Sequence, residues 1–357
     1  MDAGRPKFAY VGCFTSAKRK ARGNGVAVFR IDAATGEWSF VEACDVVPNP
    51  SYICLDPSQR FLYSAHGDGT EICAYTRDAA SGRLTVLNRQ PTGGDNSSTV
   101  ETDPTGRHVV LSNGPGIAVY PVNADGSLAP HSDLVIPEGE PGPYRDEQHG
   151  PHPHQATFDP SGRYVVVPDK GLDRIHVFRF DSARGKLIAC DPPHMKSRYG
   201  AIPRHIAFHP GHPIAYVVNE QDSTVNACHW DAAAGTLRAY QRIATTPDDY
   251  VGDNMAAEIA ILPSGRFLYA SNRGHESIAI YAVDPETGLL AHAGWEPARG
   301  RKPRFFGLSP DASRLYAANQ DSHAIVEFRV DPATGQLAPT GQVIETGSPS
   351  CIAFATK

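Results

Sequence analysis

Seven ionisable residues spread along this chain are of the types that proton transfer and anion chemistry require: His154, Arg204, His205, Glu220, Glu258, Arg273 and Arg304. An unperturbed imidazole titrates close to neutral pH and can move a proton. Guanidinium groups supply fixed positive charge to a carbonyl oxygen, a carboxylate or a phosphate. A carboxylate can orient an arginine or act as a second acid or base. Residues this far apart form a site only if the fold returns the chain to one place at intervals, and their spacing indicates that it does.

The interval is marked by a recurring turn of the Asp-Pro-Ser-Gly-Arg kind. Its prolines are Pro57, Pro104, Pro160, Pro210, Pro263 and Pro310, spaced by 47, 56, 50, 53 and 47 residues. The units can be compared with one another. A residue type shared by all of them belongs to the scaffold, and one that departs from its counterparts asks for another reason. The ninth position after each proline holds His66, Asn113, Asp169, Asn219, Asn272 and Asn319. Asn and Asp bond nearby backbone and tolerate turns, so this position reads as scaffold. The tenth holds Gly67, Gly114, Lys170, Glu220, Arg273 and Gln320, and four consecutive units carry a long polar side chain there. Six places before the proline stand Ser51, Ser98, His154, Arg204, Ala257 and Arg304. Five before stand Tyr52, Thr99, Gln155, His205, Glu258 and Phe305.

A second marker is a turn glycine, at Gly36, Gly82, Gly126, Gly185, Gly235, Gly288 and Gly335. Between the markers the sequence alternates with period two, as in Ile278–Val283 and Ile325–Val330, which reads as strand. Each unit of about 50 residues then holds about four strands, the pattern of a β-propeller blade. Seven glycines against six prolines are explained by the ends. Pro349–Phe354 resembles a first strand without its Pro turn, and Phe8–Val11 a second strand without a first. The fold class expected is all-β: one seven-bladed β-propeller domain over residues 1–357, closed by pairing of the N- and C-terminal strands in one blade, which also removes an exposed edge. In a propeller the loop into the innermost strand and the loop after the second strand share a face. The charged residues should therefore converge at one mouth of the central channel, where they are costly unless paired with one another or with a ligand.

Composition narrows the functions. A net charge of −6 leaves no basic footprint, so no nucleic acid and no membrane surface is expected as a partner. No apolar run approaches the roughly 20 residues of a membrane helix. Met1–Lys7 lacks the apolar core of a secretory signal, and seven unpaired-looking cysteines suit a reducing cytoplasm. The His-rich stretch Gln148–His154 is broken by two prolines and completes no known ligand spacing, so no metal is expected. The stretch from Pro137 to His154 reads as a loop over the mouth, either a lid or decoration. Lys18-Arg19-Lys20-Ala21-Arg22 reads as a solvated loop or as a rim that attracts phosphate.

Several of these segments together resemble a known family. They are His152-Pro153-His154-Gln155-Ala156, Val167-Pro168-Asp169-Lys170-Gly171-Leu172-Asp173-Arg174-Ile175, Pro203-Arg204-His205-Ile206-Ala207-Phe208-His209-Pro210, Val218-Asn219-Glu220, Ala257-Glu258-Ile259 and Ser271-Asn272-Arg273. The chain resembles, over essentially its whole length, the bacterial seven-bladed propeller lactonases. These include cycloisomerase-type 6-phosphogluconolactonases and are related to fungal carboxy-muconate lactonizing enzymes. Lys170 departs from the pattern, which has an apolar residue there. The resemblance implies that His154, Arg204, Glu220 and Arg273 form the active site, with His205, Glu258, Lys170, Arg304 and His152 around the substrate. It implies a metal-independent, cofactor-free hydrolase of an anionic sugar lactone, most simply 6-phosphogluconolactone, in the pentose phosphate route of carbohydrate metabolism; a cytoplasmic enzyme is expected, and the oligomeric state stays open with a monomer favoured. Two alternatives stand beside it. In a muconate-type cycloisomerase the same cations would bind carboxylates and an acid would protonate carbon. A non-catalytic binding platform would instead spread charge over the rim around an apolar patch.

Overall fold

The computed structural model describes residues 6–357. The reading of the N-terminus as leader-free, and the first limit of the domain, rest partly on residues 1–5 and lie outside the described residues. Among the described residues, 28 strands form seven four-stranded antiparallel sheets. The sheet of Pro203–Phe208, Ile214–Asn219, Thr224–Asp231 and Thr236–Ala244 is representative, with its strands paired in chain order from the channel outwards. The first strands of successive sheets neighbour one another around the channel.

Burial follows from this stacking. A strand covered on both faces must be apolar at nearly every position, and second strands such as Tyr164–Asp169 and Ile214–Asn219 are buried throughout. Outermost strands such as Thr236–Ala244 mix buried and exposed residues, because one edge meets water. The turn glycines join the third strand to the fourth, and all seven have positive φ, from 61° at Gly185 to 87° at Gly126. A Cβ there would be strained. The same turns fasten the sheets together. Tyr10, Tyr63, Tyr216 and Tyr269 are buried on second strands, and each donates its hydroxyl to the turn-glycine carbonyl of the next sheet: Gly82, Gly126, Gly288 and Gly335, at 2.7–3.1 Å.

The ring closes as the two ends of the sequence indicate. Pro349–Ala355 forms the innermost strand of the sheet containing Phe8–Cys13, in the register Phe8 to Ala355, Tyr10 to Ala353 and Gly12 to Cys351. One unit departs from the repeat. His154 does not begin an innermost strand, since that strand is only Thr157–Phe158. The His154 N–H still pairs with the Pro168 carbonyl at 2.9 Å. The Ala156 N–H instead turns to Thr99 Oγ1 at 3.2 Å, and the ladder breaks there.

Candidate active site

Two backbone devices build the site. The first is a bulge at the sixth position before the proline. Pro203 pairs with Asn219 and His205 with Val218, which leaves Arg204 as an extra residue, and Ser51 and Arg304 are extra in the same way. Strict alternation would send neighbouring side chains to opposite faces, and a bulge re-aims them, so Arg204 and His205 can share one cavity. The second is a tie between loops. The N–H at the tenth position donates to the carbonyl eight places before the proline, in Gly67 to Asn49, Lys170 to His152, Glu220 to Ile202 and Gln320 to Lys302, at 2.8–3.0 Å. Asn49, Ile202 and Lys302 have φ of 51°, 57° and 60°. For β-branched Ile202 this is a strained conformation, held by its N–H to Asp173 Oδ1 at 2.8 Å.

The nine residues singled out from sequence all line one cavity of about 270 Å³. His154 and Arg273 are thus at the same end of the channel. Glu220 is the hub. Its Oε1 accepts from Lys170 Nζ at 3.0 Å and lies 3.3 Å from Arg273 Nη2, while its Oε2 lies 3.1 Å from Arg204 Nε. The Arg204 contact is an ion pair without hydrogen-bond geometry, so both atoms lack a hydrogen-bond partner. Burial pushes the Glu220 pKa up, but Lys170, Arg273 and Arg204 outweigh it and hold the carboxyl well below the usual range. Burial is likewise the largest influence on Arg204, and Arg273 adds to it. The Arg204 pKa falls to about 10, and the group stays charged at neutral pH. Glu220 is therefore an ionised carboxylate shared by three cations.

The other half is built from histidines. His154 Nδ1 lies 3.1 Å from His205 Nε2, and His205 Nδ1 lies 2.8 Å from Glu258 Oε1. Burial, then the Arg204 charge, depress the His154 pKa well below its ordinary value. Its imidazole is neutral at pH 7, the state a general base needs. His152, stacked 6.3 Å from the His154 ring, is pushed to about 4 by burial and Lys170. Arg304 differs from the other cations. No carboxylate and no hydrogen-bond acceptor among the described residues reaches its guanidinium, which lies over the Phe14 ring at 5.2 Å. Burial and the nearby Arg204 and Arg273 disfavour its charge.

Some lining residues escape the offset reading. Arg19, from the basic run, reaches the wall over Phe14 at 4.4 Å and pairs with Asp68 at 2.6 Å, so one residue of that run joins the rim. Ser97, Asn96, Met255 and Lys302 also line the cavity. The loop of residues 137–152 contributes Glu147, and it is tied down by Gln148 Nε2 to the Lys170 carbonyl at 2.7 Å. Six cationic side chains and three carboxylates line the cavity. No disulfide forms among the described residues, and no three His, Cys, Asp or Glu side chains there converge as metal ligands. Among the described residues no helix is long and apolar enough to cross a membrane.

Comparison with known proteins agrees with this architecture. The family model "Lactonase, 7-bladed beta-propeller" matches residues 8–354. The 6-phosphogluconolactonase of Bacillus subtilis is 33% identical over 84% of each chain. That of Formosa agariphila is 32% identical over 84% of this chain and 86% of its own. The solved structure of the periplasmic gluconolactonase of Pseudomonas aeruginosa superimposes with a TM-score of 0.88 over 98% of both chains at 30% identity. A closed ring of seven blades, matched from the first strand of the chain to the last, makes this chain a member of the seven-bladed β-propeller lactonase family.

Proposed function

We propose that the chain hydrolyses 6-phosphogluconolactone to 6-phosphogluconate, with His154 as general base. The observation that carries this reading is a neutral imidazole set against a cation-rich wall in one cavity. His154 takes a proton from water as the oxygen attacks the lactone carbonyl. Arg204 and Arg273, held by Glu220, stabilise the developing oxyanion, and Lys170 adds to that charge. The ring oxygen leaves and receives the proton back. The phosphate is held by Arg304, the cation without a partner, and by the buried Ser97 hydroxyl, which also lacks one. A dianion there relieves the repulsion among the arginines. His205, Glu258 and His152 shape the wall around the base.

Hydrolysis is favoured over cycloisomerisation by the resting protonation states. A hydrolase needs a base at rest, whereas protonating carbon needs an acid, and Glu220 rests as a carboxylate and His154 as a neutral imidazole. A binding platform is disfavoured because the charge lies in the channel and not around an apolar rim. The scheme uses no metal or cofactor. The phosphorylated substrate supports a cytoplasmic enzyme. The test is a panel of δ-lactones with and without a 6-phosphate, assayed with and without EDTA. Turnover of the phosphorylated lactone should survive chelation, and kcat/KM should fall about 10- to 100-fold without the phosphate. His154→Ala and Arg273→Ala should each lower kcat by about 10²-fold or more with unchanged circular dichroism. Wild-type turnover in both variants would refute the assignment.

A further inference from the structure

The chain of hydrogen bonds behind His154 ends on a carboxylate, and its direction can be worked out. Glu258 Oε1 accepts the Ile259 backbone N–H at 3.0 Å, so that oxygen faces donors. The contact at 2.8 Å from His205 Nδ1 is then an N–H donated to Oε1. The other His205 nitrogen, Nε2, faces Arg204 Nη1 at 3.4 Å, and a guanidinium nitrogen can only donate. His205 Nε2 is therefore a lone pair, and the atom 3.1 Å from it, His154 Nδ1, must carry the proton. No protein group among the described residues reaches His154 Nε2. We infer that Glu258 and His205 are positioning residues that fix His154 as its Nδ1–H tautomer and leave the Nε2 lone pair for substrate water. This deepens the reading of His154 as the base, and rests on it for its catalytic consequence only.

The alternative direction is unfavourable at two points. It would place the His205 Nε2–H against Arg204 and a bare Nδ1 against a carboxylate oxygen. Which ring nitrogen holds the proton is set by the partner of the other, so a histidine between a carboxylate and a second histidine passes the choice along. The ionisable groups facing the pair come from several sheets: Arg204, Lys170 and Arg304 face His154, while Glu258, Arg204 and Arg304 face His205. Tyr52 packs edge-on to the His205 ring at 6.3 Å.

The test separates the relay from the base assignment. Nitrogen-15 spectra of histidine-labelled full-length protein at pH 7.5 read the tautomer without any turnover, and comparison with His154→Gln assigns the signal. The expected result is a protonated Nδ1 and a bare Nε2 on His154. Glu258→Ala should then lose that single tautomer and lower kcat about 10- to 100-fold, with KM within about twofold. Glu258→Gln keeps an acceptor oxygen for both donors and should restore the tautomer and most of kcat. A wild-type His154 protonated on Nε2 overturns the proposal, whether or not either variant folds. A His154 tautomer unchanged in folded Glu258→Ala overturns it as well. If His154→Ala instead kept full turnover while the Nδ1–H tautomer was observed, the base assignment would fail and the relay would stand.

Discussion

The side chains at the mouth differ in how much company they keep, and that difference assigns their work. Glu220 is surrounded by three cations and holds them. Arg304 has none of this support, so its loss should be felt only where a ligand supplies the missing charge. Arg304→Ala is expected to raise KM for the phosphorylated lactone about 10- to 100-fold, with kcat and the rate on unphosphorylated lactone little changed. A fall in kcat on both substrates would place Arg304 in the chemistry instead. A second residue to test lies outside the cavity. Glu101, on the innermost strand Asp95–Thr102, is pushed up to about 7 by burial, against the opposing hydrogen bonds of Thr157 and Phe158. A raised carboxyl favours its protonated form when folded. Its contribution is present below the unfolded pKa of about 4.3 and is lost as pH rises towards 7. Glu101→Gln should therefore raise Tm at pH 8 by a few degrees and leave it unchanged at pH 4, measured by thermal melts. Equal shifts at both pH values would exclude titration as the cause.

At the scale of strands and loops, the offsets that revealed the site reflect real backbone geometry. Positions six and five before the proline share a cavity because of a bulge, and position ten is tied to position minus eight by a hydrogen bond. Position minus eight was legible in principle. It holds Asn49, Asn96, His152, Ile202, Met255 and Lys302, four of which line the cavity. Its shared property is a carbonyl acceptor in four units, with left-handed φ in several, and five different residue types conceal that. Glu147 has no counterpart in other units, so no internal comparison could find it. The ninth position was read as scaffold, and its side chains do clamp loops. Asn113, Asn272 and Asn319 donate to the carbonyls of Thr92, Thr245 and Ala298, and His66 Nδ1 meets that of Pro48 at 2.9 Å. Asn272→Ala removes one of two donors to the Thr245 carbonyl, Trp295 Nε1 keeping the other at 2.8 Å, and should destabilise the fold by about 1 kcal/mol in urea unfolding. The loss in activity should track the loosened Arg273 beside it. A wild-type midpoint would show that the clamp is dispensable.

For the molecule as a whole, the period of about 50 residues and the mismatch between the two markers carried most of the architecture, since identical wedges leave a ring few ways to close. Less legible was how each wedge grips the next, because the tyrosine-to-glycine bonds join residues 63–72 positions apart. Tyr216→Phe should cost about 1 kcal/mol, and its effect should add to that of Tyr10→Phe, which sits in a distant sheet. Coupling between them in a double-mutant cycle would show that the ring transmits strain around its circumference. The seventh sheet has a temporal consequence. Phe8–Cys13 and its two outer neighbours leave the ribosome well before the strand that covers their free edge, Pro349–Ala355, is made. Three nascent strands must wait, unsatisfied along one side, while every other sheet is made between Cys44 and Pro349. A transcript broken just before that stretch would yield an unclosed arc prone to self-association and without a finished pocket, because Ser350 is part of the pocket wall.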